Sequence, residues 1–267
     1  MNYRRESQRD IRRLVLQMAY DAGVGHIGSA LSVADILLAL YEDVLNIPSP
    51  DDGERDRFVL SKGHAALALY AILHMRGWIS AEDLQTYCGD NSTLGVHPDQ
   101  VIDGVDFSTG SLGHGLSMAA GSALAARMQD SSRRVYALIS DAECNAGSVW
   151  EAAMFCAHQE LSNITAIIDC NGQQALGYTR DVLDLQPLAS RWQSFGWHVE
   201  EVDGHDIDAL SAAFAALTGT TQPRVVIANT VLGSGVSFME RLVHWHYWPM
   251  NQEQFKQALE EISGGET

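Results

Sequence analysis

From residue 135 onward the chain repeats one pattern: a short apolar run, then a stretch with helical periodicity. The runs at 135–139, 164–168, 197–201 and 225–228 alternate with helical stretches at 147–159, 185–195 and 207–217. Strands separated by helices pair in parallel, and strands apolar along their length are covered on both faces. The expected fold is therefore α/β, a doubly wound, mostly parallel sheet with helices on both faces. In such sheets ligands sit at the carboxyl ends of the strands. Upstream, Ile11, Leu14, Val15, Met18 and Ala19 keep a helical period over 4–22, ahead of the glycine-rich loop GVGHIGS at 23–29. A second helix is expected to be capped at Ser32, with Val33, Ile36, Leu37, Leu40 and Tyr41 facing inward. A strand at 57–60, a helix at 65–76, a long Gly/Asp/Ser/Thr-rich loop at 88–111 and a small-residue helix at 112–128 follow. An amphipathic helix is expected at 252–262. With no repeat or linker among its 267 residues, the chain reads as one domain, 1–267.

Charge narrows the function. The chain carries 34 acidic against 17 basic side chains, a formal net charge of −17, which repels a phosphate backbone and disfavours nucleic-acid binding. An anionic ligand must then be held by local devices: a metal ion, histidines and backbone amides. The 10 histidines fit that need, since several stand in glycine-rich loops. The N-terminus lacks an apolar signal core, and no run of about 18 apolar residues occurs, so a cytoplasmic, membrane-free protein is expected. Cys88, Cys144, Cys156 and Cys170 form no CxxC pair and read as free thiols.

The segment 135–173 carries most chemistry. Asp141 follows one strand directly and Asn171 follows the next by three residues, so adjacent parallel strands would bring two oxygen donors together. Magnesium takes such hard oxygen ligands, and a helix starting at Gly147 would aim amides at an anion. Taken alone, Asp141 reads equally well as an ordinary N-cap.

Ser140-Asp141-Ala142 and Cys170-Asn171-Gly172 nevertheless resemble the two ends of the thiamine-diphosphate motif, which opens with GDG and closes about thirty residues later with an asparagine pair. Around it stand GHIG (25–28), LSKGH (60–64), GVHPD (95–99), TGSLGHG (109–115) and WHY (245–247). In that order they resemble the N-terminal half of the transketolase family, most closely its split, two-chain forms. The resemblance implies thiamine diphosphate and Mg as cofactors, with Asp141, Asn171 and the carbonyl of Gln173 as metal ligands. It implies His26 and His97 at the sugar, His64 and His246 at the diphosphate with His246 also facing substrate, and Gly110, Leu112 and Ala142 lining the cofactor pocket. It further implies transfer of a two-carbon ketol unit from a ketose to an aldehyde. The partner would be a second subunit carrying the pyrimidine-binding and C-terminal domains, in a heterotetramer of two plus two, because the chain ends soon after WHY. His74, His158, His198 and His205 match no motif and read as structural; His114 and His244 adjoin motifs without a role.

The family pattern GDGE-x-x-E-G stands here as SDAE-x-x-A-G, with Ser140 and Ala142 for glycines and Ala146 for a glutamate of the network between paired sites; Glu151 is kept. Three other readings share features: the α-subunit of a 2-oxoacid dehydrogenase, which would lack GHIG, LSKGH and WHY; a deoxyxylulose-phosphate-synthase-like enzyme; and a non-catalytic scaffold subunit, resting on the altered SDAECNA segment alone.

Overall fold

Why the chain forms a two-faced sheet is visible in its strands. The structure is a computed structural model that describes residues 2–216 and 221–264. In chain order the helices are α1 (Asn2–Ala22), α2 (Ile27–Ala39), α3 (Ala66–Met75), α4 (Ala81–Leu84), α5 (Gly115–Met128), α6 (Gly147–His158), α7 (Thr179–Val182), α8 (Leu188–Ser194), α9 (Ile207–Ala216) and α10 (Gln252–Ser263). The strands are β1 (Arg57–Leu60), β2 (Val135–Ser140), β3 (Ile164–Cys170), β4 (Gln173–Gln174), β5 (Gly177–Tyr178), β6 (His198–Asp203) and β7 (Arg224–Asn229). Five of them form one parallel sheet in the order β1-β2-β3-β7-β6, and β4-β5 is a small antiparallel hairpin.

Period-two alternation divides each strand between two cores. Tyr136, Leu138, Ile167 and Val226 join the cluster built with α1, α2, α3 and α9. Val135, Ala137, Ile139, Ile164, Ile168 and Val225 point the other way, into the cluster of α5, α6 and α8. The expected doubly wound α/β sheet is what is observed. Its topology follows from right-handed crossovers. Steps from β1 through β3 and on to β6 run one way, while β6 to β7 steps back, so α9 covers the opposite face from α6 and α8.

Several expectations need correction. α2 starts at Ile27, directly after the glycine loop, with His26 as its N-cap, so Ser32 is not a cap. Ser32 is buried mid-helix, and its hydroxyl donates to the Ser29 carbonyl and to Asp169. Every residue of α2 is buried, so the helix has no amphipathic stripe to read. The helix expected at 112–128 begins at Gly115, and that at 185–195 is only Leu188–Ser194. The strand expected at 197–201 is His198–Asp203. The end expected for α9 at Leu217 lies outside the described residues. All four cysteines are free. Among the described residues no helix is long and apolar enough to cross a membrane.

One buried ion cluster ties the N-terminal helices to the sheet's carboxyl edge. Asp35 on α2 is 0% exposed and accepts hydrogen bonds from Arg12 (2.5 and 2.9 Å), Gln8 (2.9 Å) and His205 Nδ1 (2.9 Å). His205 Nε2 in turn accepts from Val231 N–H at 2.8 Å, just beyond β7. Burial pushes the Asp35 carboxyl upward, but the Arg12 guanidinium, with the His205, Arg12 and Gln8 hydrogen bonds, holds it well below the usual carboxylate range. Asp35→Asn leaves Arg12 buried and unpaired and is expected to cost about 3–5 kcal/mol at pH 7. A depressed native value means that this stabilisation is present above the unfolded carboxyl value of about 3.9 and fades as pH falls below it. Denaturant melts of parent and variant should therefore converge in acid.

Candidate functional site

The carboxyl ends of the central strands open into a cavity of about 370 Å³. Each adjoining turn brings one motif to it. Ser61-Lys62-Gly63-His64 follows β1, Asp141-Ala142 follows β2, and Asn171 follows β3 into the β4-β5 hairpin. The loop before α2 adds His26, the long loop ahead of α5 adds His97, Gly110 and Leu112, and a turn of helix at Val243–His246 adds His246.

Four imidazoles therefore share one wall. The His26 ring centroid lies 5.4 Å from His64, 5.5 Å from His246 and 5.0 Å from Tyr247, and His64 lies 5.1 Å from His246. His97 packs on Gly110, where an added Cβ would stand 3.2 Å from its ring. Burial lowers the proton affinity of His26, His64, His97 and His246, and the nearby cation Lys62 adds to this for all but His97. His246 falls to about 4. All four are neutral at pH 7, each with one ring nitrogen to donate and one to accept a hydrogen bond. His26 itself holds a left-handed backbone, φ 63°, uncommon for a residue other than glycine and a form of strain that collects at functional sites.

Beside it, Gly25 makes the closest approach in the site: a Cβ there would lie 2.0 Å from the Tyr247 carbonyl oxygen. Both partners are backbone, so neither yields cheaply. Gly25→Ala is expected to lose about 1–3 kcal/mol through overpacking and to displace the His246–Tyr247 turn. Thermal melting and the His246 ring resonances report both effects.

The oxygen donors are arranged differently from the histidines. Asp141 is 8% exposed and does not face the cavity openly; its carboxylate accepts from Ala142 N–H (2.8 Å) and Gly172 N–H (3.0 Å). Burial, and then the charge of Asp169, push its carboxyl up to about 6. Asn171 lines the cavity, and its Oδ1 accepts from Gln173 N–H at 2.9 Å. Gln173 also lines it, through a side chain whose Oε1 is buried without a partner among the described residues. Among those residues no group of three His, Cys, Asp or Glu side chains is placed to hold a metal, so the oxygen set here is one carboxylate plus amide oxygens.

Sequence reasoning missed part of the wall. Ser29, Lys62, Gln174, Ala175 and Tyr247 also line the cavity. Lys62 had a signal: it is one of only two lysines in the chain and sits in a motif. Behind the wall Glu143 is buried and accepts from the Ser61 hydroxyl, Gly113 N–H (2.7 Å) and Ser140 N–H (3.3 Å). Ala146 lies against Gly113, where an added Cβ would meet its side chain at 2.7 Å, and Glu151 is exposed.

Among the described residues, five buried polar atoms that face this cavity have no hydrogen-bond partner: His26 Nδ1, Ser29 Oγ, Gln173 Oε1, Gln174 Nε2 and His246 Nδ1. Each such atom costs roughly 1–3 kcal/mol. Their concentration on one cavity wall marks it as built for a polar ligand rich in acceptor and donor atoms.

Residues 3–264 match the family described as transketolase, thiamine diphosphate binding domain. One of the two subunits of the apulose-4-phosphate transketolase of Phocaeicola vulgatus is 39% identical over 261 residues, 97% of this chain and 92% of that protein. A 6-deoxy-6-sulfo-D-fructose transketolase subunit of a Clostridium species is 40% identical over 256 residues, 94% of this chain and 93% of that protein. Among solved structures, the transketolase of Campylobacter jejuni superposes with a TM-score of 0.91 at 29% identity, covering 97% of this chain and 42% of that one. The chain thus spans less than half the length of the solved transketolases it matches.

Proposed function

The chain belongs to the transketolase family, as its thiamine diphosphate binding domain, and from that premise we propose that residues 1–267 act as one domain holding the cofactor's diphosphate through magnesium in a two-chain enzyme. The observation that carries this reading is the set of five unpartnered polar atoms on the cavity wall, which a diphosphate, a metal-bound water or a sugar hydroxyl would satisfy. The donor chemistry fits too: magnesium prefers hard oxygens and keeps phosphates and waters among its ligands. Asp141, the Asn171 amide oxygen and the Gln173 carbonyl would supply the protein's share.

In this reading His64 and His246 donate to diphosphate oxygens, and Gly110, Leu112 and Ala142 form the walls of the cofactor pocket. When bound, thiamine diphosphate supplies the electron sink for breaking the carbon–carbon bond beside a ketose carbonyl. The rest falls to the histidines. His26, His97 and His246, neutral at pH 7, orient the hydroxyls of the two-carbon unit and move protons at their oxygens. The reaction is ketol transfer from a ketose or ketose phosphate to an aldehyde.

A second subunit, bearing the pyrimidine-binding and C-terminal domains, completes the enzyme as two plus two chains in the cytoplasm. Two observations support a partner at the cavity mouth. The relatives spanned almost end to end are named as subunits. Leu112 and Tyr247, which line the cavity, are 44% and 57% exposed, and their neighbours in the mouth region, Leu176 and Trp248, are 82% and 62% exposed. The names of the relatives make apulose 4-phosphate and 6-deoxy-6-sulfo-D-fructose the first ketoses to assay.

The test is reconstitution with that second subunit. Two-carbon transfer to an aldehyde should require both chains, thiamine diphosphate and magnesium. Turnover by this chain alone, or none from a mixture that binds the cofactor, contradicts the reading.

A further inference from the structure

Asp169 closes β3 and has no place in any motif, yet more side chains converge on it than on any residue of the cavity wall. It is 0% exposed. Its Oδ2 accepts from Lys62 Nζ, from Ser32 Oγ at 2.8 Å and from Asn171 Nδ2 at 2.9 Å, and its Oδ1 accepts from Thr230 Oγ1. Lys62 and Ser32 are also 0% exposed. A carboxylate so deep stays ionised only beside a cation, and Lys62 is that cation.

The consequence falls on Asn171. A carboxamide has an oxygen end and a nitrogen end of nearly equal shape, and a half-turn about its last bond exchanges them. Only its hydrogen-bond partners decide which end faces outward. Here both ends are fixed. An ionised carboxylate only accepts, so the end against Asp169 must be Nδ2. The Gln173 N–H only donates, so the end against it must be Oδ1.

We infer that Asp169 is a positioning residue, which by taking the amide nitrogen of Asn171 holds the amide oxygen toward the magnesium site, with Lys62 keeping Asp169 in its accept-only state. This rests on reading the cavity as the magnesium and diphosphate site. Lys62, which also lines the cavity, thereby couples the turn after β1 to the metal ligand after β3. An ordinary buried ion pair would stabilise the sheet edge equally well but would have no effect on metal affinity.

Asp169→Asn separates the two. It keeps the volume but offers Asn171 a group that can donate or accept, so both amide orientations become possible. Thr230→Val is the control, because it removes another partner of Asp169 without touching Asn171. Two readouts on the full chain are needed. In amide proton–nitrogen spectra without cofactor, the Asn171 side-chain pair, assigned by its loss in Asn171→Ser, should be slow to exchange in the parent and in Thr230→Val. In Asp169→Asn that protection should be lost. In magnesium titrations at fixed thiamine diphosphate, with the second subunit present, the half-saturating magnesium concentration should rise about 10- to 100-fold in Asp169→Asn. In Thr230→Val it should stay within about threefold of the parent. A parent-like magnesium requirement in Asp169→Asn overturns the inference, as does a protected Asn171 amide in that variant. If the parent itself takes up no cofactor, the proposed function falls, while the amide spectra still decide the role of Asp169. Should Asp169→Asn not fold, Lys62→Met/Asp169→Asn removes both charges of the pair together and is read by the Asn171 amide alone, with the same two outcomes.

Discussion

Asp141→Asn yields a folded chain that no longer takes up thiamine diphosphate in the presence of magnesium. The carboxylate is the single anionic oxygen donor of the proposed metal set, and an amide in its place offers a neutral oxygen to a cation that prefers hard, charged ones. The loss should exceed about 100-fold, the upper end of what changes outside the ligand sphere produce. Stability should move the other way. Burial, and then Asp169, already raise the carboxyl to about 6, so at pH 7 its charged form is carried at a cost in the native state. The amide keeps an oxygen for Ala142 N–H and Gly172 N–H and lacks that charge. The cofactor-free variant should melt at or above the temperature of the parent, while calorimetry finds its cofactor binding abolished. A variant that binds as the parent does removes Asp141 from the metal set.

His26→Asn should lower ketol transfer by about 10²- to 10⁴-fold, the range for loss of a proton-transferring group, while cofactor affinity changes little. Asparagine is the informative replacement because it tolerates the left-handed backbone that His26 adopts at φ 63°. The start of α2 is then preserved, and the variant reports the imidazole rather than a collapsed loop. The readout is kcat in the reconstituted two-chain enzyme beside the thiamine diphosphate dissociation constant. Equal losses in both would place His26 in cofactor binding instead of substrate chemistry.

How much of this could be read from sequence depended on range. The β2 and β3 runs are apolar on both faces, so their burial and parallel pairing were legible, and so was the position of Asp141 at a strand's end. The histidines were found because their motifs are local: each lies within a few residues of the glycines that let its loop turn. α2 was misread at its start because a helix buried on every side has neither a stripe nor a polar cap. The β4-β5 hairpin, two residues per strand, is too short to carry a pattern. Lys62 and Asp169 were missed as a pair because they stand 107 residues apart and meet only once β1, β2 and β3 have aligned. A charged residue closing an apolar strand was the one local sign of Asp169, and alone it does not name a partner. Ala142 and Ala146, departures from the family pattern, are partly buried in a site whose neighbours are also small.

The central claim is that this cavity holds a magnesium-bound diphosphate, and calorimetric titration of thiamine diphosphate tests it most directly. The titration is run with and without magnesium, on this chain alone and on its mixture with the second subunit. Binding that requires magnesium, and that appears or tightens when the second subunit is added, is the predicted result. Absence of binding under every condition would contradict the account and leave a chain that keeps the family fold without its cofactor.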